Sequence, residues 1–144
     1  MTSVKGGHLA REISVPDLVG MLFRQVRDTF AAEDWDGLRP SHFRVIAAVP
    51  EGGISVSDLA ERLEMTKQGC GQFVAQLATS GHLSSVPDPD DRRVRMVHRT
   101  DLGERTDRAV SRRLRRVEER WADAVGADRY ATFRAVLEEI ALGT

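Results

Sequence analysis

The apolar residues of this chain recur mainly at steps of three and four, the spacing that places them on one face of a helix. Behind Ser14, which can cap a helix, this pattern predicts a first helix that runs to about residue 33. A second helix is predicted to begin at Pro40, and Ser57 and Thr66 are expected to cap a third and a fourth. The chain is therefore expected to be dominated by helix.

Three shorter segments lack the helical spacing. Residues 54–56 are predicted as a short strand, and residues 83–86 and 94–99 as the two strands of a hairpin. Prolines and aspartates at the tip of this hairpin exclude helix there. From Thr100 the helical spacing returns in a long helix, and a last helix follows Gly126. The fold class predicted is mainly α, within an α+β arrangement.

The third and fourth predicted helices are short and are joined by a tight turn, as in a helix-turn-helix. In the fourth helix the apolar positions fall on one face, and the opposite face is polar without a carboxylate. Its side chains are Lys67, Gln68, Gln72 and Gln76. Glutamine can pair with adenine, and lysine suits guanine or phosphate, so this face is compatible with a major groove. A solvated face of an ordinary amphipathic helix is the alternative interpretation.

Charge supports the first interpretation once it is resolved by position. The chain as a whole has 21 Lys and Arg against 22 Asp and Glu, a net charge of −1. Residues 92–116, however, hold ten arginines and only three acids. A hairpin directly after a helix-turn-helix is a wing, and Arg92 and Arg93 at its tip suit a DNA minor groove. Asp91 is expected to pair with an arginine and hold the turn in shape.

Together these residues resemble the MarR family of winged helix-turn-helix transcription regulators. The resemblance covers about residues 38–103. It rests on Ser57-Asp58-Leu59-Ala60, Met65-Thr66-Lys67-Gln68, Asp88-Pro89-Asp90-Asp91-Arg92-Arg93 and Thr100-Asp101-Leu102-Gly103. It implies one domain over residues 1–144, with a winged core at about 38–100. Long dimerisation helices at about 14–33 and 101–142 would flank this core.

The resemblance also implies a function. A homodimer would bind palindromic double-stranded operator DNA in the cytoplasm, as a repressor released by a small aromatic or phenolic effector. The DNA-contacting positions of the family correspond to Thr66, Lys67, Gln68, Gln72, Gln76, Arg92 and Arg93, with Asp91 supporting the wing. By the same resemblance, Phe23, Trp35 and Phe43 are candidate effector-pocket residues, with ordinary core residues as the alternative interpretation.

The sequence departs from the family pattern at three positions. Gly69 and Gly71 stand inside the fourth helix, where each costs about 1 kcal/mol relative to alanine. Either the backbone approaches DNA closely there, or the helix is soft until it binds. Arg99 replaces a residue that is usually apolar, so the base of the wing is expected to pack differently.

Other classes of function find less support. A cysteine-based oxidant sensor would use Cys70, which the helical spacing instead places inward. A winged-helix module that binds protein or ligand but not DNA is a further alternative. The four histidines lack metal-ligand spacing, so neither a metal nor another cofactor is expected. No catalytic motif is present and no apolar run reaches the roughly 18 residues of a membrane span, so neither an enzyme nor a membrane protein is expected.

Overall fold

The computed structural model describes residues 11–144, and these form six helices and three strands. In chain order they are α1 (Val15–Ala31), α2 (Pro40–Ala48), β1 (Ile54–Ser55), α3 (Val56–Arg62), α4 (Lys67–Thr79), β2 (Leu83–Pro87), β3 (Arg95–Arg99), α5 (Asp101–Val125) and α6 (Ala127–Leu142). Helix predominates and the strands form one small sheet, as predicted. Over the same residues, no helix is both long and apolar enough to cross a membrane.

Hydroxyl side chains cap three of the helices, α1, α4 and α5, and two of these caps, Ser14 and Thr66, are at the predicted residues. The hydroxyl of Ser14 accepts a hydrogen bond from the third helical residue of α1 at 3.2 Å. Thr66 caps α4 in the same way at 3.0 Å, and Thr100 caps α5 at 3.1 Å. Each cap satisfies one of the amide groups that the first turn of a helix leaves without a partner.

The start of α3 differs from the prediction. Ser55, not Ser57, is the capping residue, and its hydroxyl accepts from the amide of Asp58 at 3.1 Å. The prediction of a Ser57 cap and a three-residue strand was wrong because β1 ends after two residues. Ile54 pairs with Val97 of β3, and the helix begins directly after Ser55.

The three strands form an antiparallel sheet in the order β1-β3-β2. Along the hairpin Leu83 pairs with Arg99 and Pro87 pairs with Arg95, so the residues between β2 and β3 form an exposed tip. We call this hairpin, residues 83–99, the wing.

Two apolar clusters hold the chain together. The larger lies between α2, α3, α4 and the sheet, and its fully buried side chains include Ile46, Leu59, Leu77 and Val97. A smaller cluster around Phe30 joins α1, α2 and α5. The first cluster fixes α4 against the sheet, so the outward face of α4 and the wing are held on one rigid body.

The outer helices leave much apolar surface uncovered. In α6 no residue is buried, and in α1 Phe30 alone is. The exposed large apolar residues of these two helices are Val15, Leu18, Val19, Met21, Phe23, Phe133, Val136, Leu137, Ile140 and Leu142. A helix this apolar on an exposed face usually packs against a further element or partner.

Candidate nucleic-acid interface

Helix α4 presents its polar face outward because its other face is buried. Cys70, Val74 and Leu77 are buried in the larger cluster. Gln68 and Gln72 are exposed on the opposite side of the helix. Long amide side chains on a rigid helix can reach base edges in a major groove, which is wide enough to admit an α-helix.

A groove of about 860 Å³ separates α4 from the wing. Lys67, Gln68 and Gly71 line one side, and Arg93 and Arg95 line the other. Further lining residues come from α3, α4 and the wing: Ser55, Val56, Ser57, Val74, Ala75, Ala78, Ser85 and Val94. The lining holds three cationic side chains and no carboxylate, so the groove attracts anions.

The wing tip is braced by an ion pair between neighbouring side chains. Arg93 donates to Asp91 through Nε at 3.1 Å and through Nη2 at 3.3 Å. The backbone amide of Arg93 also donates to this carboxylate, and together these bonds lower the pKa of Asp91. The Arg93 side chain is nevertheless 91% exposed, so it is both oriented and accessible.

The remaining predicted DNA-contacting residues lie on the same two elements. Thr66 is exposed at the start of α4, and its hydroxyl, which accepts the capping bond, still has a hydrogen to donate. Arg92 is exposed beside Arg93 on the wing. Gln76 is exposed too, but its amide oxygen lies 3.1 Å from Nε2 of His42 on α2.

Arg95 is a groove residue that the sequence reasoning did not single out. Its Nη2 donates to the carbonyl of Ser85 at 3.0 Å, and its Nε lies 3.3 Å from the Ser85 hydroxyl. These bonds tie β3 to β2 and hold the guanidinium along the groove. The arginine-rich segment contained this signal, but the strand register was needed to place Arg95 on the groove side.

The two glycines of α4 have different surroundings. A Cβ at Gly69 would lie 3.0 Å from the Thr66 hydroxyl oxygen, so the cap leaves little room there. A Cβ at Gly71 would meet no atom within 4 Å among the described residues. Packing among residues 11–144 therefore does not require a glycine at position 71, which lines the groove.

The three aromatic residues predicted for an effector pocket do not come together. Trp35 and Phe43 pack with Phe30, with ring centroids 5.1–5.6 Å apart. Phe23 is 65% exposed and instead lines an apolar groove between α1, α5 and α6. Residues 23 and 30 lie on the same face of α1 but two turns, or about 10 Å, apart along its axis, so Phe23 lies beyond the cluster around Phe30. Within residues 11–144, Nε1 of Trp35 is buried and has no hydrogen-bond partner.

Cys70 lies in the apolar core under α4. It is fully buried, and burial raises the pKa of its thiol. A reactive cysteine needs an accessible thiolate, whereas this environment favours a buried, neutral thiol. Among residues 11–144, no group of three His, Cys, Asp or Glu side chains is placed to hold a metal ion.

Comparisons with known proteins agree with this geometry. A model of the MarR family matches residues 36–94. The transcriptional activatory protein BadR of Rhodopseudomonas palustris is 33% identical over 76 residues, which cover 50% of this chain. The match covers 43% of BadR, so this chain spans less than half the length of that relative.

Solved structures extend the similarity to almost the whole chain. The reduced form of MarR from E. coli has a TM-score of 0.74 at 16% identity, covering 90% of this chain and 97% of that one. PcaV from Streptomyces coelicolor has a TM-score of 0.70 at 22% identity, covering 91% and 97%. These structures share the fold, and the family match falls on the helix-turn-helix and wing. Residues 36–94 therefore match the MarR family, and the fold of the chain is that of the solved MarR-type winged-helix structures.

Proposed function

We propose that this protein is a transcription regulator that binds double-stranded operator DNA through α4 and the wing. The observation that carries the proposal is the groove between them, with polar α4 side chains facing the wing arginines and no carboxylate in its lining. Such a surface can admit a phosphate backbone, while the exposed glutamines reach the adjoining base edges.

The residues divide into two roles under this proposal. Gln68 and Gln72 read base edges, because a free amide offers both a donor and an acceptor. Lys67 and Arg92 contact phosphates, and Arg93 enters the minor groove with its guanidinium held by Asp91. Thr66 donates its hydroxyl hydrogen, which the capping bond does not use, to a phosphate at the start of α4.

We further propose that the protein acts as a homodimer joined through α1 and α6. Support comes from the apolar side chains that these helices leave exposed, among them Ile140 at 76% and Leu142 at 72%. Two-fold symmetry would then place two copies of α4 on successive major grooves, which requires a palindromic operator.

A small aromatic or phenolic effector is the proposed signal, and release of a repressor is the proposed response. PcaV, which shares this fold, has been crystallised with its natural ligand. In this chain the aromatic cluster of Phe30, Trp35 and Phe43 joins α1, α2 and α5, and the buried Trp35 N–H has no acceptor among residues 11–144, so an effector that opened the cluster would supply one. BadR is named as an activator, so activation is the alternative outcome that a promoter-reporter assay would reveal.

The experiment that tests DNA binding is selection of duplexes from a random pool by the purified protein. We expect enrichment of an inverted repeat whose half-sites lie about one helical turn apart. Failure to enrich any sequence over repeated rounds, with protein that is folded by circular dichroism, would contradict the proposal. Titration of the bound complex with phenolic acids then tests the effector, with loss of binding as the expected result.

A further inference from the structure

The side chain of His42 links α2 to the DNA-facing helix. It lies at the start of α2, where the backbone amide of Arg39 donates to Nδ1 at 3.0 Å. Its Nε2 lies 3.1 Å from Oε1 of Gln76 on α4. The ring of Phe73 packs edge-on against the imidazole, with centroids 5.4 Å apart and planes at 74°. The imidazole is therefore held from three directions.

These contacts determine the hydrogen positions by chemistry alone. A backbone amide can only donate, so Nδ1 of His42 must be the acceptor and carries no hydrogen. In a neutral imidazole the hydrogen is then on Nε2. Since Nε2 donates, its partner on Gln76 must be the amide oxygen and not the amide nitrogen. One backbone hydrogen bond thus fixes the orientation of an amide on another helix.

We infer that His42 is a positioning residue that fixes the Gln76 amide with its oxygen toward α2 and leaves its NH2 group for DNA. With one lone pair of the Gln76 oxygen engaged by His42, both hydrogens of the NH2 group remain for a ligand. Such a group can bind a phosphate oxygen, O6 or N7 of guanine, or O4 of thymine. The amide cannot exchange the positions of its oxygen and its NH2 group without losing the hydrogen bond from His42. This inference rests on the proposed DNA binding, and it separates Gln76 from Gln68 and Gln72.

The variant that isolates this role is His42→Asn. The asparagine oxygen can occupy the place of Nδ1 and keep the hydrogen bond from Arg39, but the shorter side chain cannot reach Gln76. We expect His42→Asn to weaken binding to the selected duplex by about two- to tenfold, because the freed Gln76 must be ordered on binding. Its thermal unfolding midpoint should stay close to that of the wild type, since the cap is kept.

A double-mutant cycle separates positioning from a general structural role. In a Gln76→Ala background, His42→Asn should cause no further loss of affinity, because the residue through which it acts is gone. Gln72→Ala is the matched control background, and there His42→Asn should weaken binding by the same factor as in the wild type. An equal loss in both backgrounds would overturn the inference.

A measurement on the free protein distinguishes failure of this inference from failure of DNA binding. Long-range ¹H–¹⁵N spectra report which imidazole nitrogen carries the hydrogen, and we expect Nε2 for His42. A hydrogen on Nδ1 would overturn the inference whether or not the protein binds DNA. If the spectra show Nε2–H but no duplex is bound, the proposed function fails while the His42–Gln76 contact stands.

Discussion

Arg99 of the wing donates to the carboxylate of Asp107 on α5, with Nη1 and Oδ2 2.9 Å apart. Its Nε lies 3.1 Å from Glu104, close enough for an ion pair although not aligned for a hydrogen bond. The Arg99 side chain is only 15% exposed. A cation thus stands where the MarR family usually has an apolar residue. Its two acidic partners lie in the first and second turns of α5, so the ion pairs join the base of the wing to α5.

Replacing Arg99 by methionine should destabilise the fold. The aliphatic part of the side chain would be kept, but Glu104 and Asp107 would face each other without a cation. Because both acids are partly exposed, we expect a loss of about 1–2 kcal/mol, below the cost of breaking a fully buried pair. Urea denaturation measures this loss. Arg105→Met, on the exposed side of α5, is the control and should change stability by less than about 0.5 kcal/mol.

Two helical glycines should respond oppositely to alanine. A Cβ at Gly103 would overlap the backbone carbonyl of His82, which cannot move without disturbing its hydrogen bond from Thr100. We expect Gly103→Ala to destabilise the fold by about 1–3 kcal/mol. Gly71→Ala meets open space and should stabilise it by about 0.5–1 kcal/mol. Thermal or chemical unfolding measures the change in the free energy of unfolding of each variant. Changes of the same sign in both variants would contradict this explanation.

The caps and the glycines show how far the sequence alone could lead. Ser14 and Thr66 were identified as caps because a hydroxyl residue precedes a clear apolar periodicity. Ser55 and Ser57 both precede α3 at plausible positions, and only the pairing of Ile54 with Val97 decides between them. Local patterns thus locate helices, whereas long-range pairing sets some of their ends.

The contacts within the candidate site were less accessible to prediction. His42 and Gln76 are 34 residues apart, and no local pattern brings them within hydrogen-bond distance. The separation of Phe23 from Trp35 and Phe43 was not predictable for a related reason. Helix α1 buries its apolar face only near Phe30, at its carboxyl end. The apolar spacing of α1 alone therefore did not show which aromatic residues contact one another.

Stability should fall in mildly acidic solution because of His82. This side chain is 1% exposed, and burial lowers the pKa of its imidazole below the ordinary value of 6.5. The unfolded chain therefore takes up a proton before the folded protein does, so the free energy of unfolding decreases as pH falls below 6.5. Unfolding between about pH 7.5 and pH 5.5 should show this decrease in the wild type and less of it in His82→Gln. An identical decrease in both proteins would contradict the assignment.

Charge placed on α6 should separate the proposed dimer. Ile140 is 76% exposed in the single chain, and Ile140→Glu would bury a carboxylate in the proposed interface. Sedimentation velocity should give a dimer for the wild type and a species of 16.0 kDa for the variant. Val86→Glu is the control, because Val86 is an exposed apolar residue of the wing. If Ile140→Glu remained a dimer, the interface would lie elsewhere. If the wild type were a monomer, the proposed dimer would be excluded.

The salt dependence of DNA affinity in Arg93→Ala tests the proposed interface most directly. Fluorescence anisotropy with the selected duplex gives the slope of log K against log salt concentration for the wild type and the variant. Loss of one contact in the narrow, strongly negative minor groove should weaken binding and reduce the magnitude of that slope by about 1. Arg129→Ala, an exposed arginine on α6, should leave both quantities unchanged. An Arg93→Ala protein with wild-type affinity and slope would show that the wing does not contact DNA.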